Sequence, residues 1–302
     1  MKLSIPEIEI MSPGHVACQG CGATLAFRYA LKALGRETIV IIPACCWSVI
    51  DGPFPYSSAG VPVFHTAFET AASTASGVRA ALEIKGITDV SVLAWAGDGG
   101  TMDIGIQALS GAVERGEDII YVCYDNEAYM NTGIQRSSST PYGAWTTTTP
   151  VKKFKTGPKK NMVEIMAAHK IPYTATANIA FPEDFIAKLR KAKAIKGPKF
   201  IQVISPCPAG WKFSSQLTIK MAKLSFETCI FPLYEVENGC YNVKKPVNKK
   251  DVSDYLNPQG RFKHLGKDVI AEIQKTLDRE WDMLLKKETF SDEEKCKSEI
   301  SQ

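Results

Sequence analysis

The sequence predicts a doubly wound α/β fold on a parallel sheet, with a C-terminal extension. Three observations carry this. Apolar runs at 39–42, 91–96, 119–124 and 199–204 read as strands covered on both faces. Segments with helical periodicity separate them. Alternating strand and helix implies parallel pairing through right-handed crossovers.

Taken in order, residues 24–34 read as an apolar-periodic helix with Gly35 as its stop. Strand 39–42 leads into a loop over 45–60, and a short strand follows near 61–64. The small-residue run 69–77 starts a helix that continues to Lys85 and can approach a neighbouring backbone closely. Strand 91–96, helix 104–114 and strand 119–124 come next. A long polar loop then spans 125–161, and loops of that length in a compact domain are usually functional. Its first third reads as a cofactor wall and the rest as a partner-facing surface. Lys152, Lys153, Lys155, Lys159 and Lys160 make a basic run, either a solvated face or a receiver for an acidic partner. Helix 162–169, strand 173–177, helix 182–194, strand 199–204 and helix 216–228 complete a domain expected over 1–230. Over 231–302 the texture changes to a hairpin at 233–239, an amphipathic helix at 269–286 and a charged end, 288–302, expected to fray. This extension is expected to pack on another subunit.

A chain of 302 residues, 45% hydrophobic and 23% charged, can bury a full core. No apolar run approaches the ~20 residues that span a bilayer, and the first residues lack a signal-peptide core, so the cytoplasm is the expected compartment and no membrane is expected. A net charge of +4 without a basic stripe interleaved with aromatics argues against nucleic acid.

The chemistry gathers between Trp95 and Thr132. A strand ends in Gly97-Asp98-Gly99-Gly100, a helix follows, and the next strand ends in Asp125-Asn126. Glycines let backbone N–H groups approach phosphate oxygens at a helix start. Asp98 and Asn126 offer hard oxygen ligands to Mg²⁺ from neighbouring strand ends. An aspartate capping a helix explains Gly-Asp-Gly alone equally well.

Nine cysteines without a secretory signal point to metal or redox chemistry. Cys18 and Cys21 form a Cys-x-x-Cys in a glycine-rich turn. Cys45 and Cys46 follow a strand, and Cys207 sits between prolines after another. Four thiolates suit a [4Fe–4S] cluster or a Zn site equally. Cys123, inside an apolar strand, reads as core. Cys229, Cys240 and Cys296 show no partner spacing.

Gly97-Asp98-Gly99 with Asp125-Asn126 and Asn131-Thr132-Gly133-Ile134-Gln135 resembles the thiamin diphosphate motif of the 2-oxoacid:ferredoxin oxidoreductases, in their β subunit. The match runs from about His15 to about Trp211. The resemblance implies a thiamin diphosphate-binding fold with Gly97, Asp98, Gly99, Gly100, Asn126, Ala128, Tyr129, Asn131 and Thr132 around the cofactor. Mg²⁺ would be held by Asp98, Asn126 and the Ala128 carbonyl, and Asn131 and Thr132 would polarise the substrate carbonyl. It also implies a [4Fe–4S] cluster on Cys18, Cys21, Cys46 and Cys207. Cys46 is preferred to Cys45 by the family's spacing from Cys21, which leaves Cys45 a packed thiol and puts Cys46 beside the cofactor. Glu69 and His65 are local candidates for cofactor contact. Ala23 stands where single-chain pyruvate enzymes carry a glutamate, so that contact is not carried over.

The implied activity is oxidative decarboxylation of pyruvate to acetyl-CoA, with coenzyme A as acceptor and electrons leaving for ferredoxin. Oxalate, phenylglyoxylate or a branched-chain 2-oxoacid would suit the same motifs. The pyrimidine-binding domain and its activating glutamate are expected from an α subunit, and onward electron transfer from γ and ferredoxin-like δ subunits. Two readings of other classes stand beside this. A non-oxidative thiamin diphosphate decarboxylase would need no gathered cysteines, and a non-catalytic subunit with structural zinc would need no diphosphate site.

Overall fold

The computed structural model describes the backbone of residues 4–294 and the side chains of residues 4–291. One eight-stranded sheet organises it, in the order β2-β1-β3-β4-β6-β5-β7-β8. The strands are β1 (Thr38–Pro43), β2 (Val63–Thr66), β3 (Ser91–Gly97), β4 (Ile120–Asp125), β5 (Tyr173–Asn178), β6 (Lys199–Ile204), β7 (Leu233–Glu237) and β8 (Cys240–Lys244). The first six run parallel, as their two-sided apolar character requires. Every residue of β3, β4, β5 and β6 is buried, Cys123 among them.

Helices cover both faces. On one lie α1 (Gly22–Leu34), the single turn α2 (Trp47–Ile50) and α6 (Pro182–Ala194), which bury Phe27, Leu31, Trp47, Phe185 and Leu189 against Val40, Trp95 and Val203. On the other lie α3 (Ala71–Ile84), α4 (Ile106–Glu114) and α5 (Met162–Ala168), packed on Ala94, Tyr121 and Phe200. Ala71, Ala72 and Ala75 of α3 sit flush with this layer, the close approach that its small residues allow. A third apolar cluster gathers around Trp211 and Tyr255. It joins the turn α7 (Pro208–Trp211), α8 (Thr218–Glu227), the turn α9 (Ser253–Leu256) and α10 (Lys267–Glu294).

Three expectations change. The helix placed at 104–114 starts earlier, as a π-helical turn over Gly100–Ile104 before α4. The segment after 230 does not stand apart from the sheet. β7 pairs antiparallel with β5, β8 with β7, and Leu284 of α10 joins the core cluster beneath α3 and α5. Helix α10 also carries the chain through Glu294, into the end expected to fray; residues 295–302, with Cys296, lie outside the described residues, as does the start, 1–3. Among the described residues no helix is long and apolar enough to cross a membrane.

The sheet order locates the site. From β1 the chain moves outward to β2, then returns across β1 to continue with β3 and β4 on the other side. This reversal opens a crevice beyond the carboxyl ends of β1 and β3, where open α/β sheets bind ligands. The residues that follow those strands are Cys45-Cys46 and Asp98-Gly99.

Candidate cofactor and cysteine site

The turn after β3 is shaped by what its glycines leave out. A Cβ on Gly99 would run into the Tyr129 ring, and one on Gly100 would press on Phe68 at 3.1 Å. Tyr129 in turn donates its hydroxyl to Asp103 Oδ2 at 2.7 Å, and Thr101 Oγ1 donates to the Gly97 carbonyl at 2.8 Å. The turn and the loop after β4 are thus locked face to face, and N–H groups of a helix start lie next to Asp98.

Asp98 is fully buried and accepts from Ser137 Oγ at 2.5 Å. Burial, then the charge of Asp125, push its carboxyl well above the usual range, against the Ser137 hydroxyl and Lys159. Around it the acceptors converge. The Asn126 amide end lies 2.9 Å from the Ala128 carbonyl and 3.0 Å from Asp98 Oδ1; without a cation its NH2 donates to both, and with a cation bound its oxygen would turn in beside them. Donors at that spacing suit adjacent corners of an octahedron with metal–oxygen distances of about 2.1 Å. Charge points the same way: three buried carboxylates, Asp98, Asp125 and Glu127, face two cations, Lys159 and Arg261. The donor set therefore fits a hard divalent cation, with Asp98 the carboxylate left to neutralise.

Backbone geometry between the ligands is held from outside. Glu127 has φ +66, a left-handed conformation that a glutamate rarely adopts. Its carboxylate meets Lys159 Nζ at 2.7 Å and the Arg261 guanidinium at 2.6 Å. Burial alone would raise its pKa, but the two cations outweigh it and hold the carboxyl below its usual range. Lys159 also pairs with Asp125 at 2.7 Å, and Asp125 accepts from Ser139 Oγ at 2.6 Å and Gln202 Nε2 at 2.7 Å. Trp211 Nε1 donates to the Asn126 carbonyl at 2.8 Å.

The basic run is thereby split. Lys159 is an internal counter-ion, not part of a solvated face or a receiver for a partner. Lys155 is buried and donates to the carbonyls of Ser138 and Thr140, and Lys160 caps Met102 O. Only Lys152 and Lys153 are exposed as expected. Much of the polar loop over 125–161 likewise turns inward, with Ser137, Ser139, Thr140 and Thr146 buried.

Asn131 and Thr132 lie exposed at the rim of the loop, Thr132 donating to the Tyr129 carbonyl at 3.4 Å. Glu69 lies just before α3, with its carbonyl against Gly105. His65 stands half-exposed on β2, 3.8 Å from Asp51 Oδ2.

The cysteines come together from three distant segments. Gly22, next to Cys21, donates to the Pro206 carbonyl at 3.1 Å and lies so close that a Cβ would meet Pro206 at 2.8 Å. This docks the Cys-x-x-Cys turn beside Cys207. Burial, then the neighbouring Cys45, Cys207 and Cys21, raise the Cys46 thiol. Cys207 is pushed up to about 11 by burial, eased by the Gly210 N–H and reinforced by Cys21 and Cys18. Cys45 turns instead toward Tyr124, as a packed thiol. Cys18, Cys21, Cys46 and Cys207 are free thiols on neighbouring turns, and among the described residues no three His, Cys, Asp or Glu side chains are drawn in to ligating distance. Thiols gathered in this way suit a thiophilic metal or cluster, which would bind them as thiolates.

Sequence reasoning missed Ser137, Glu127 and Arg261, and misread Lys159. Glu127 was adjacent to the motif, but Arg261 lies 134 positions away and carries no local signal.

The family model for the C-terminal TPP binding domain of thiamine pyrophosphate enzymes matches residues 51–203. The chain is 53% identical over 296 residues to ketoisovalerate oxidoreductase subunit VorB of Pyrococcus abyssi, covering 94% of this chain and 95% of that one. It is 54% identical over 280 residues to pyruvate synthase subunit PorB of Methanothermobacter thermautotrophicus, covering 91% and 97%. A solved 2-oxoglutarate:ferredoxin oxidoreductase from Magnetococcus marinus, 21% identical, superposes with a TM-score of 0.58 over 74% of this chain and 81% of that one, which supports the fold. Matches of this identity along nearly the whole chain, on a sheet whose switch point carries an acceptor triad beside gathered thiols, establish that it belongs to the thiamin diphosphate-dependent 2-oxoacid:ferredoxin oxidoreductases, as a β subunit.

Proposed function

We propose that the chain provides the diphosphate-binding half of a cytoplasmic enzyme that oxidatively decarboxylates pyruvate to acetyl-CoA and CO2, with electrons leaving through a [4Fe–4S] cluster to ferredoxin. The observation that carries it is the convergence of Asp98, Asn126 and the Ala128 carbonyl on one point beside a glycine turn. These three would hold Mg²⁺, and the N–H groups at Gly99 and Gly100 would receive the diphosphate. When bound, thiamin diphosphate supplies an electron sink for cleavage next to a 2-oxo group. Gly97 and Tyr129 line the turn on either side. Asn131 and Thr132, on the exposed rim, face outward to polarise a substrate carbonyl. Glu69 completes the wall beside Gly105. Cys18, Cys21, Cys46 and Cys207 would hold the cluster, giving up their thiol protons on ligation. The activating glutamate comes from an α subunit, and γ and δ subunits complete the electron path. A branched-chain 2-oxoacid is a second reading, favoured by the ketoisovalerate relative that matches as well as the pyruvate one.

Two measurements test this on the assembled complex. Iron, sulfide and zinc analysis, with EPR of the reduced protein, is expected to give about four irons per chain, lost in Cys46→Ser and kept in Cys45→Ala. Zinc without iron would remove the electron-transfer half. Comparing kcat/KM for pyruvate and for 3-methyl-2-oxobutanoate then decides the substrate.

A further inference from the structure

We infer that Arg261, from the segment after the parallel sheet, is a positioning residue for the cation site: with Lys159 it clamps Glu127 in its left-handed backbone conformation and so aims Asn126 and Ala128 at one point. This rests on the assignment of Asp98, Asn126 and Ala128 as the Mg²⁺ ligands. Glu127 lies between two of the three, and a non-glycine residue at φ +66 persists only where its surroundings hold it. Its carboxylate is 5% exposed and meets two cations, of which Arg261 is itself 2% exposed.

Arg261 is held in place by several contacts. Its Nε donates to Gln259 Oε1 at 2.9 Å, its guanidinium lies 4.0 Å over the Trp211 ring, and its own carbonyl accepts from Trp145 N at 2.9 Å. Trp211 in turn fixes the Asn126 carbonyl. Arg261 and Trp211 therefore grip adjacent residues of the 126–128 segment, one by its side chain and one by its backbone. Both lie outside residues 51–203, which match the thiamine pyrophosphate domain.

The assembled complex, stripped of cofactor, would be titrated calorimetrically with Mg²⁺ at saturating thiamin diphosphate. Arg261→Gln is expected to weaken Mg²⁺ binding about 10- to 100-fold, the range for losing a residue that orients a metal ligand, with kcat at saturating Mg²⁺ close to wild type. Arg261→Lys, which keeps the charge and guards against misfolding, should recover part of the loss. Combining Arg261→Gln with Glu127→Gly removes the carboxylate then held by Lys159 alone and gives the backbone a residue at ease with positive φ, so binding should return to within a few-fold of wild type. Unchanged Mg²⁺ affinity in Arg261→Gln overturns the inference. So does a double substitution no better than the single, because Arg261 would then act only by packing on Trp211. A wild-type complex that bound thiamin diphosphate without Mg²⁺ would instead overturn the ligand assignment beneath it.

Discussion

Replacing Asp98 with asparagine should move stability and cofactor binding in opposite directions. In the cofactor-free chain Asp98 is buried, raised in pKa by burial and by Asp125, and its Oδ1 lies 3.0 Å from the Asn126 amide end. A carboxyl whose folded pKa lies above its unfolded value binds its proton more tightly in the folded state. It therefore destabilises the fold increasingly as pH rises above the unfolded value near 4. Asparagine removes that charge at constant shape. One side-chain oxygen still accepts from Ser137, and the new NH2 meets the Asn126 amide, which can turn its oxygen to accept and so exchanges one hydrogen bond for another. With the relief of a buried charge, the gain at pH 7 should be roughly 1–3 kcal/mol. The same change deletes the only carboxylate among the proposed ligands, so Mg²⁺ affinity should fall by at least the ~10–100-fold typical of losing an outer-shell partner. Thermal unfolding of the complex with and without Mg²⁺ and thiamin diphosphate reads both effects. Asp98→Asn should melt higher than wild type when stripped and show no further rise with cofactor. A variant that melts lower when stripped, or keeps the full cofactor-induced rise, would refute the reasoning.

Two further outcomes follow from named contacts. Gly99→Ala should cost about 1–3 kcal/mol by forcing the Tyr129 ring aside and should weaken thiamin diphosphate binding, both measurable by calorimetry; a neutral Gly99→Ala would mean that the turn tolerates a Cβ. Lys155 is lowered from its ordinary 10.5 to about 8 by burial and then by Arg136, so the unfolded chain binds more protons than the folded one between those values. Wild-type stability should accordingly gain on Lys155→Met by up to about 2 kcal/mol, after allowing for solvent screening, as pH rises from about 8 to 10.5 in urea titrations; a pH-independent difference would contradict this.

The parallel sheet was legible because strands covered on both faces leave continuous apolar runs, as at 119–124. The glycine turn and the Asx pair were legible because ligand chemistry restricts residue types at fixed strand ends. The π-turn at Gly100–Ile104 was not, since periodicity predicts a helix without its winding, and the room that Gly105 leaves beside the Gly100 and Glu69 carbonyls shows only in the fold. Nor was the charge network. Lys159 in a lysine-rich stretch and Arg261 in a polar connection look like solvated residues until the fold brings both to one buried carboxylate. The hairpin expected at 233–239 extends to 244, its second strand β8 lying beyond the expected bound, and its pairing with β5 depends on a partner about 60 positions earlier.

The two rims of the sheet are finished differently. At β8 the outward amides are taken up by the last helix: Tyr241 N donates to Ser291 Oγ at 3.0 Å and Val243 N to Glu288 Oε1 at 2.6 Å. At the other rim β2 is only four residues long, has no described strand beyond it, and carries the exposed ring of Phe64. Growth of a sheet from copy to copy needs two open rims. With one covered, strand-to-strand joining through this sheet can occur once, at β2, and then stops.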